Sequence, residues 1–188
     1  KKQNLDLVTL NSHKIHGPKG IGALYIKENI KIIPLIHGGG HEFQMRSGTE
    51  NIQGIIGFGE AVKISNKNNT MQMKKLQDKL IKEILKIPNA KLNGPIREKR
   101  LCNNINISFA DISGEEIQAY LEKNKIYIST GSACQSHINE SSHVLKAIGA
   151  KENEINGAIR ISLSKYTTEK EVDYFLKEIK KVAERLRD

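Results

Sequence analysis

Hydrophobic positions along this chain change their spacing several times, and each change marks an element. Leu5-Asp6-Leu7-Val8-Thr9-Leu10 and Ile21-Gly22-Ala23-Leu24-Tyr25-Ile26 are short β-type runs separated by a turn rich in Gly, Pro and Lys. Two strands alone do not make a stable sheet, so the pair reads as part of a larger one. Residues 38–54 collect Gly, Ser, Thr, Asn and charge and read as a functional loop, after which Ile55-Ile56-Gly57-Phe58-Gly59 opens a helix. Near residues 64–70 the composition turns to Ser, Asn and Lys, which marks a connector within a longer helical region. Beyond it Leu76, Leu80 and Ile84, with Ile81 and Leu85, form an i, i+4 stripe opposite lysines. That spacing predicts an amphipathic helix over 71–86, ended by Pro88.

Asn104-Ile105-Asn106-Ile107-Ser108-Phe109 alternates polar and apolar and predicts a half-buried strand. Ser113-Gly114-Glu115-Glu116 has capping-box spacing ahead of Ile117 and Leu121, so a helix follows. Ile126-Tyr127-Ile128 predicts another strand, 142–148 a short helix, and 159–163 a strand carrying Arg160. A last helix begins at Thr168-x-x-Glu171 and turns Val172, Phe175, Ile179, Val182 and Leu186 inward. From residue 65 onward this order predicts an α+β domain with a small sheet and helices on one face, distinct from residues 1–64. No internal repeat or low-complexity segment interrupts it.

The net charge of +9 raises the question of nucleic acid, but the 30 basic residues run from Lys1 to Arg187 without a block of five or six. The five tyrosines and four phenylalanines are not interleaved with them as a base-stacking surface requires, so direct nucleic-acid binding is not expected. No apolar run approaches the 18 or so residues that cross a bilayer, and no membrane association is expected. The two cysteines, Cys102 and Cys134, do not make a disulfide framework. A reducing, cytoplasmic setting suits a working thiol better. The chain opens on Lys1-Lys2-Gln3 rather than methionine, so a targeting signal at the true start would not be seen.

Two islands carry chemistry. Ser12-His13-Lys14-Ile15-His16-Gly17-Pro18-Lys19-Gly20 sets a lysine just past a β-type run, beside a tight turn, which is how a lysine that forms a Schiff base with pyridoxal phosphate is displayed. Gly131-Ser132-Ala133-Cys134-Gln135-Ser136 sets a cysteine in a small-residue loop where a thiolate can be reached. Arg160 offers the planar fork that suits a carboxylate. Cys102, next to the strand at 104–109, reads as an inert small hydrophobe of the core.

Five stretches stand together in order: Ser12-His13-Lys14 with Gly17-Pro18-Lys19-Gly20, His37-Gly38-Gly39-Gly40-His41-Glu42, Arg46-Ser47-Gly48-Thr49-Glu50-Asn51, Gly131-Ser132-Ala133-Cys134, and Ile159-Arg160-Ile161-Ser162-Leu163. On these the chain resembles the pyridoxal-phosphate-dependent cysteine desulfurases of the iron–sulfur cluster assembly and nitrogenase-maturation type, over the C-terminal half of a member. The resemblance implies an α/β fold-type I transferase. Residues 1–64 would be the C-terminal part of the large cofactor-binding domain, and 65–188 the small α+β domain that bears the cysteine loop.

It further implies that Lys14 holds pyridoxal 5'-phosphate, that Ser12, His13 and Thr49 reach its phosphate, and that Arg160 takes the α-carboxylate of L-cysteine. Cys134 would accept the sulfur as a persulfide. Thr49 would enter the site of the neighbouring subunit, which implies a homodimer, and the sulfur would pass to an iron–sulfur scaffold or another acceptor, including a tRNA-thiolation acceptor. The half of the family that holds the glycine-threonine phosphate loop, the histidine stacked on the ring and the acidic partner of the ring nitrogen is not among these residues. The 188 residues alone are therefore expected to be inactive unless that half is supplied, for example as a separate chain.

Two other readings stay open. One is a non-catalytic module that docks a sulfur-acceptor scaffold, and the other is a different fold-type I enzyme such as a transaminase, which would survive replacement of Cys134 by serine. No resident metal site is expected, because His137 and His143 beside Cys134 lack further ligands. A transient iron–sulfur ligand role for Cys134 is a minor alternative.

Overall fold

The computed structural model describes residues 4–65, 67–131 and 142–187. The chain divides into two compact units, residues 1–66 and 67–188.

In the first unit, β1 (Leu7–Asn11) and β2 (Gly22–Ile26) pair antiparallel, with Leu7 opposite Ile26 and Asn11 opposite Gly22. The chain between them carries a 3₁₀ turn, Ser12–Ile15. Helix α1 (Ile52–Ile64) starts three residues before the expected apolar run, because the Asn51 side chain accepts the Gly54 N–H at 3.0 Å and caps it. Small residues bring α1 against the turn. A Cβ on Gly57 would stand 2.6 Å from Pro18 Cγ, and one on Gly17 would stand 3.0 Å from Ala61 Cβ.

This unit buries few apolar side chains: Leu7, Leu10 and Leu24 remain 49%, 49% and 47% exposed. Opposed residues share a face, so Leu7 and Leu24 lie on one side of the hairpin and Leu10 on the other. Both sides are thus apolar and open, the pattern of a strand pair from the interior of a larger sheet.

The second unit has a core. Helix α2 (Lys67–Ile84) buries Leu76, Leu80 and Ile84, while Leu85, expected near the stripe, is 43% exposed. Strands β3 (Ala90–Leu92), β4 (Asn104–Phe109) and β5 (Ala158–Ser162) form an antiparallel sheet in the order β3-β4-β5. Ile105 pairs with Ile161 and Ile107 with Ile159, so these four side chains share one face. Against that face pack α2, α3 (Gly114–Lys123) and α6 (Glu169–Arg185). From α6 come Val172, Phe175, Ile179 and Val182, all buried, with Leu186 packed at the edge of the core.

Two short helices that the periodicity did not place on this face, α4 (His143–Ala147) and α5 (Glu152–Asn156), gather Leu145 and Ile155 around Ala158. Ala158 has the opposite parity to Ile159 in β5, so helices are not confined to one face as expected. Residues 126–128 are also not a strand. The Ile126 N–H is taken by Leu121 O at the end of α3, and pairing to β5 is reduced to one bridge, Ser129 to Arg160. Ile126 and Ile128 still pack on the core and Tyr127 is 74% exposed, so the alternation was right and the ladder absent. Cys102 is half-buried in a turn rather than in the core.

Both expected helix starts are capped. Ser113 Oγ accepts the Glu116 N–H, and Thr168 and Glu171 form the full reciprocal box. The Thr168 N–H and hydroxyl both reach the Glu171 carboxylate and hold it below the usual carboxylate range. Thr168→Ala should lower stability by about 1 kcal/mol, read as a shifted urea midpoint with unchanged slope. Among the described residues no helix is long and apolar enough to cross a membrane.

Candidate active site residues

Lys14 sits in the 3₁₀ turn that follows β1, and the turn is shut by His16 in a left-handed conformation (φ 66°) and by a Gly17 N–H to Ser12 O bond of 3.0 Å. Its side chain is exposed, and no described residue makes a hydrogen bond or ion pair with its ammonium. His13 is likewise exposed and unengaged among the described residues. The turn displays an amine and an imidazole side by side, on a base held by α1.

Ser12 is different. It is fully buried, and its Oγ is a buried side-chain oxygen without a hydrogen-bond partner among the described residues. A Cβ on Gly17 would stand 2.1 Å from that oxygen, so glycine is required to cover it. A buried hydroxyl without a partner is destabilising by about 1–3 kcal/mol, which marks a place where a further acceptor or donor fits. It reaches a ligand only if the cover at Gly17 shifts, whereas Lys14 and His13 need no movement.

The loop of residues 36–51 is organised around Ser47, which is 8% exposed. Its Oγ donates to Gly39 O at 2.7 Å, its N–H to Ile36 O at 3.3 Å, and its carbonyl accepts Arg46 Nη1 at 2.6 Å. The Gly48 N–H donates to His41 Nδ1 at 3.3 Å. Glu42, Phe43 and Gln44 hold φ values of 48°, 56° and 65° in succession, a run of left-handed residues that is rare without glycine. The loop encloses a cleft of about 360 Å³ lined by His37, Gly38, Gly39, Gly40, Gln44 and Ser47, among others. Thr49 stands just past the pinned Ser47, exposed and without a partner among the described residues.

In the second unit Arg160 lies in β5, half-buried, with Nη1 donating to Gly131 O at 2.8 Å. Its Nε and Nη2 have no partner among the described residues. The proposed nucleophile Cys134 lies outside the described residues, as do 132–141 as a whole, His137 included. His143 is exposed in the first turn of α4. Sequence reasoning did not find the groups that fix Arg160, the backbone of Ser129 and Gly131. Backbone donors and acceptors leave no side-chain signature, so no signal in the sequence pointed to them.

The aminotransferase class-V family model matches residues 1–175. A curated relative, "Cysteine desulfurase IscS" of Methanosarcina thermophila, is 44% identical over 191 aligned positions that cover all of this chain and 47% of the relative. Among solved structures, a "NifS-like protein" superposes with a TM-score of 0.86 at 40% identity, covering 98% of this chain and 48% of that one. Another, "SspA in complex with cysteine", gives 0.67 at 36% identity, covering 88% of this chain and 46% of that one. The chain spans about half the length of the curated relatives it matches.

Proposed function

The chain belongs to the aminotransferase class-V family, and on that premise we propose that it is the C-terminal half of a cysteine desulfurase that turns L-cysteine into L-alanine and an enzyme-bound persulfide. The observation that carries this reading is Lys14, exposed and without a partner among the described residues, within a chain that is 44% identical along its whole length to a named cysteine desulfurase. The open apolar faces of the β1–β2 hairpin support residues 1–64 as the tail of a larger cofactor-binding domain.

Pyridoxal phosphate, when bound, supplies an aldehyde and an electron-withdrawing ring that weaken bonds around the amino acid's α-carbon and β-carbon. Lys14 Nζ would hold the aldehyde and move protons at the substrate carbon. His13 and Thr49, exposed and without a partner among the described residues, would reach the phosphate, and Ser12 would offer its buried hydroxyl if the cover at Gly17 shifts. Arg160 would bind the α-carboxylate. The Cys134 thiolate attacks the substrate's sulfur, the carbon–sulfur bond breaks, a sulfur–sulfur bond forms, and the carbon takes a proton to give alanine. The transfer is balanced without an external oxidant. An acceptor protein of cluster assembly or tRNA thiolation then takes the sulfur, in a homodimer working in the cytoplasm. The 188 residues by themselves are proposed to be inactive, because they span about half the length of the relatives they match.

The test is to incubate the full-length protein with L-cysteine and to measure alanine, sulfide under a thiol reductant, and the mass of the Cys134 peptide. Alanine production with an added 32 Da on Cys134, lost in Cys134→Ser, is the expected result. Alanine or keto-acid production that survives Cys134→Ser means another class-V reaction. A full-length protein that binds no cofactor favours the reading as a non-catalytic docking module.

A further inference from the structure

Three short contacts join Arg160 to the stretch of chain that leads out of α3. The Arg160 N–H donates to Ser129 O at 2.6 Å, the Ser129 N–H returns to Arg160 O at 3.2 Å, and Arg160 Nη1 reaches Gly131 O at 2.8 Å. Between these, Thr130 Oγ1 donates to Gln118 Oε1 of α3 at 3.1 Å. Residues 129–131 are therefore fixed from the sheet on one side and from a core helix on the other. On the opposite edge of β5, Arg160 stands across from Asn106 of β4 as a non-hydrogen-bonded pair, and its neighbours Ile159 and Ile161 are in register with Ile107 and Ile105.

A guanidinium carries five N–H donors in one plane in a fixed fork, so engaging one nitrogen determines which edges remain for a ligand. Committing Nη1 to Gly131 O leaves Nε and Nη2, which have no partner among the described residues, as the side-on pair, the two parallel donors that match both oxygens of a carboxylate. The geometry points to the backbone of Ser129–Gly131 as the positioning element that turns the Nε–Nη2 edge of Arg160 toward an amino acid's α-carboxylate. This rests on the carboxylate role proposed above, and adds which edge binds and what aims it. Unanchored, the long side chain would lose rotamer freedom each time it bound substrate, and affinity would fall with no change in the chemical step.

The experiment uses the full-length holoenzyme. Ser129→Pro removes the N–H given to Arg160 O, and Ser129→Ala keeps the backbone while removing the hydroxyl. Ser129→Pro should raise KM for L-cysteine about tenfold, the scale of one hydrogen bond to a charged group, with kcat within about twofold, and Ser129→Ala should restore KM. Binding of L-alanine should weaken by the same factor, and binding of ethylamine, which has no carboxylate, should not.

Unchanged KM and L-alanine affinity in a folded Ser129→Pro protein overturn the assignment, as does equal weakening for ethylamine. Should that variant not fold, amide exchange in the wild type decides: a protected Ser129 N–H is expected, and exchange at the unprotected rate overturns the bridge. A wild type that holds cofactor yet releases no sulfide from cysteine defeats the desulfurase reading instead, and the L-alanine comparison still decides the positioning.

Discussion

On the proposed function, Lys14→Ala in the full-length protein should remove turnover of L-cysteine, with kcat/KM falling roughly 10³ to 10⁴-fold, the scale expected when a group that moves the substrate's proton is deleted. The argument is local. Lys14 is exposed and touches no described partner, so its removal takes away neither an ion pair nor core packing. The turn keeps its shape through backbone contacts, Ser12 N–H to Ile21 O at 3.3 Å and Gly17 N–H to Ser12 O at 3.0 Å. Melting behaviour should therefore match the wild type while activity is lost, which separates a chemical role from a structural one. Lys14→Arg should fail as badly, because a guanidinium keeps its proton and does not bond an aldehyde at neutral pH. Borohydride treatment of the wild type should leave a pyridoxyl mass on the Lys14 peptide, absent in both variants. Retention of a tenth of wild-type activity by Lys14→Ala would remove Lys14 from the mechanism.

Elements with a sustained apolar period were legible before any coordinates. Helices α2 and α6 bury Leu76, Leu80, Val172 and Ile179 on the spacing that predicted them, and β4 turns Ile105 and Ile107 inward on its alternation. What was missed is short or decided by a neighbour. Strand β3 is Ala-Lys-Leu, too brief to carry a period, and exists because Ala90 and Leu92 find Phe109 and Ile107 across the ladder. Residues 126–128 have a strand's composition, yet the Ile126 N–H is committed to the end of α3. The satellite cluster around Ala158 depends on α5, a single short turn of Glu-Asn-Glu-Ile-Asn with one apolar residue.

The site divides in the same way. The display of Lys14 follows from Gly17 and Pro18 a few residues away, so composition alone exposed it. The cover over Ser12 follows from the absence of a side chain at Gly17, where a Cβ would also meet Ala61 on a helix remote in sequence. The orientation of Arg160 follows from carbonyls at 129 and 131, which every residue possesses. Side-chain chemistry is written in the sequence; the aim of that chemistry comes from packing and backbone, which the linear pattern does not encode.

Gly157→Ala is expected to be the most damaging single-methyl change in the second unit, lowering stability by about 3 kcal/mol or more. Gly157 closes α5 and precedes β5, with a φ of −90°, so its backbone angle is open to any residue and the constraint is space alone. A Cβ there would stand 1.9 Å from Phe109 O, 2.7 Å from Ile112 O and 2.9 Å from Phe109 C. These are backbone atoms, so no side chain can swing aside. The end of β4 would have to move, and with it Phe109, fully buried, and the Phe109 N–H to Gly157 O bond of 3.0 Å. Gly114→Ala is the graded comparison: its Cβ would meet Ala158 O at 3.0 Å and Asn156 O at 3.1 Å, a squeeze that shifts of a few tenths of an ångström relieve, at a cost of about 1 kcal/mol. Urea melts of the full-length protein should place Gly157→Ala well below Gly114→Ala. A Gly157→Ala midpoint within error of the wild type would mean that β4 and β5 do not meet at Gly157 as described. Because β5 begins at Ala158 and carries Arg160, surviving Gly157→Ala protein should also bind L-alanine more weakly if Arg160 takes the carboxylate as proposed.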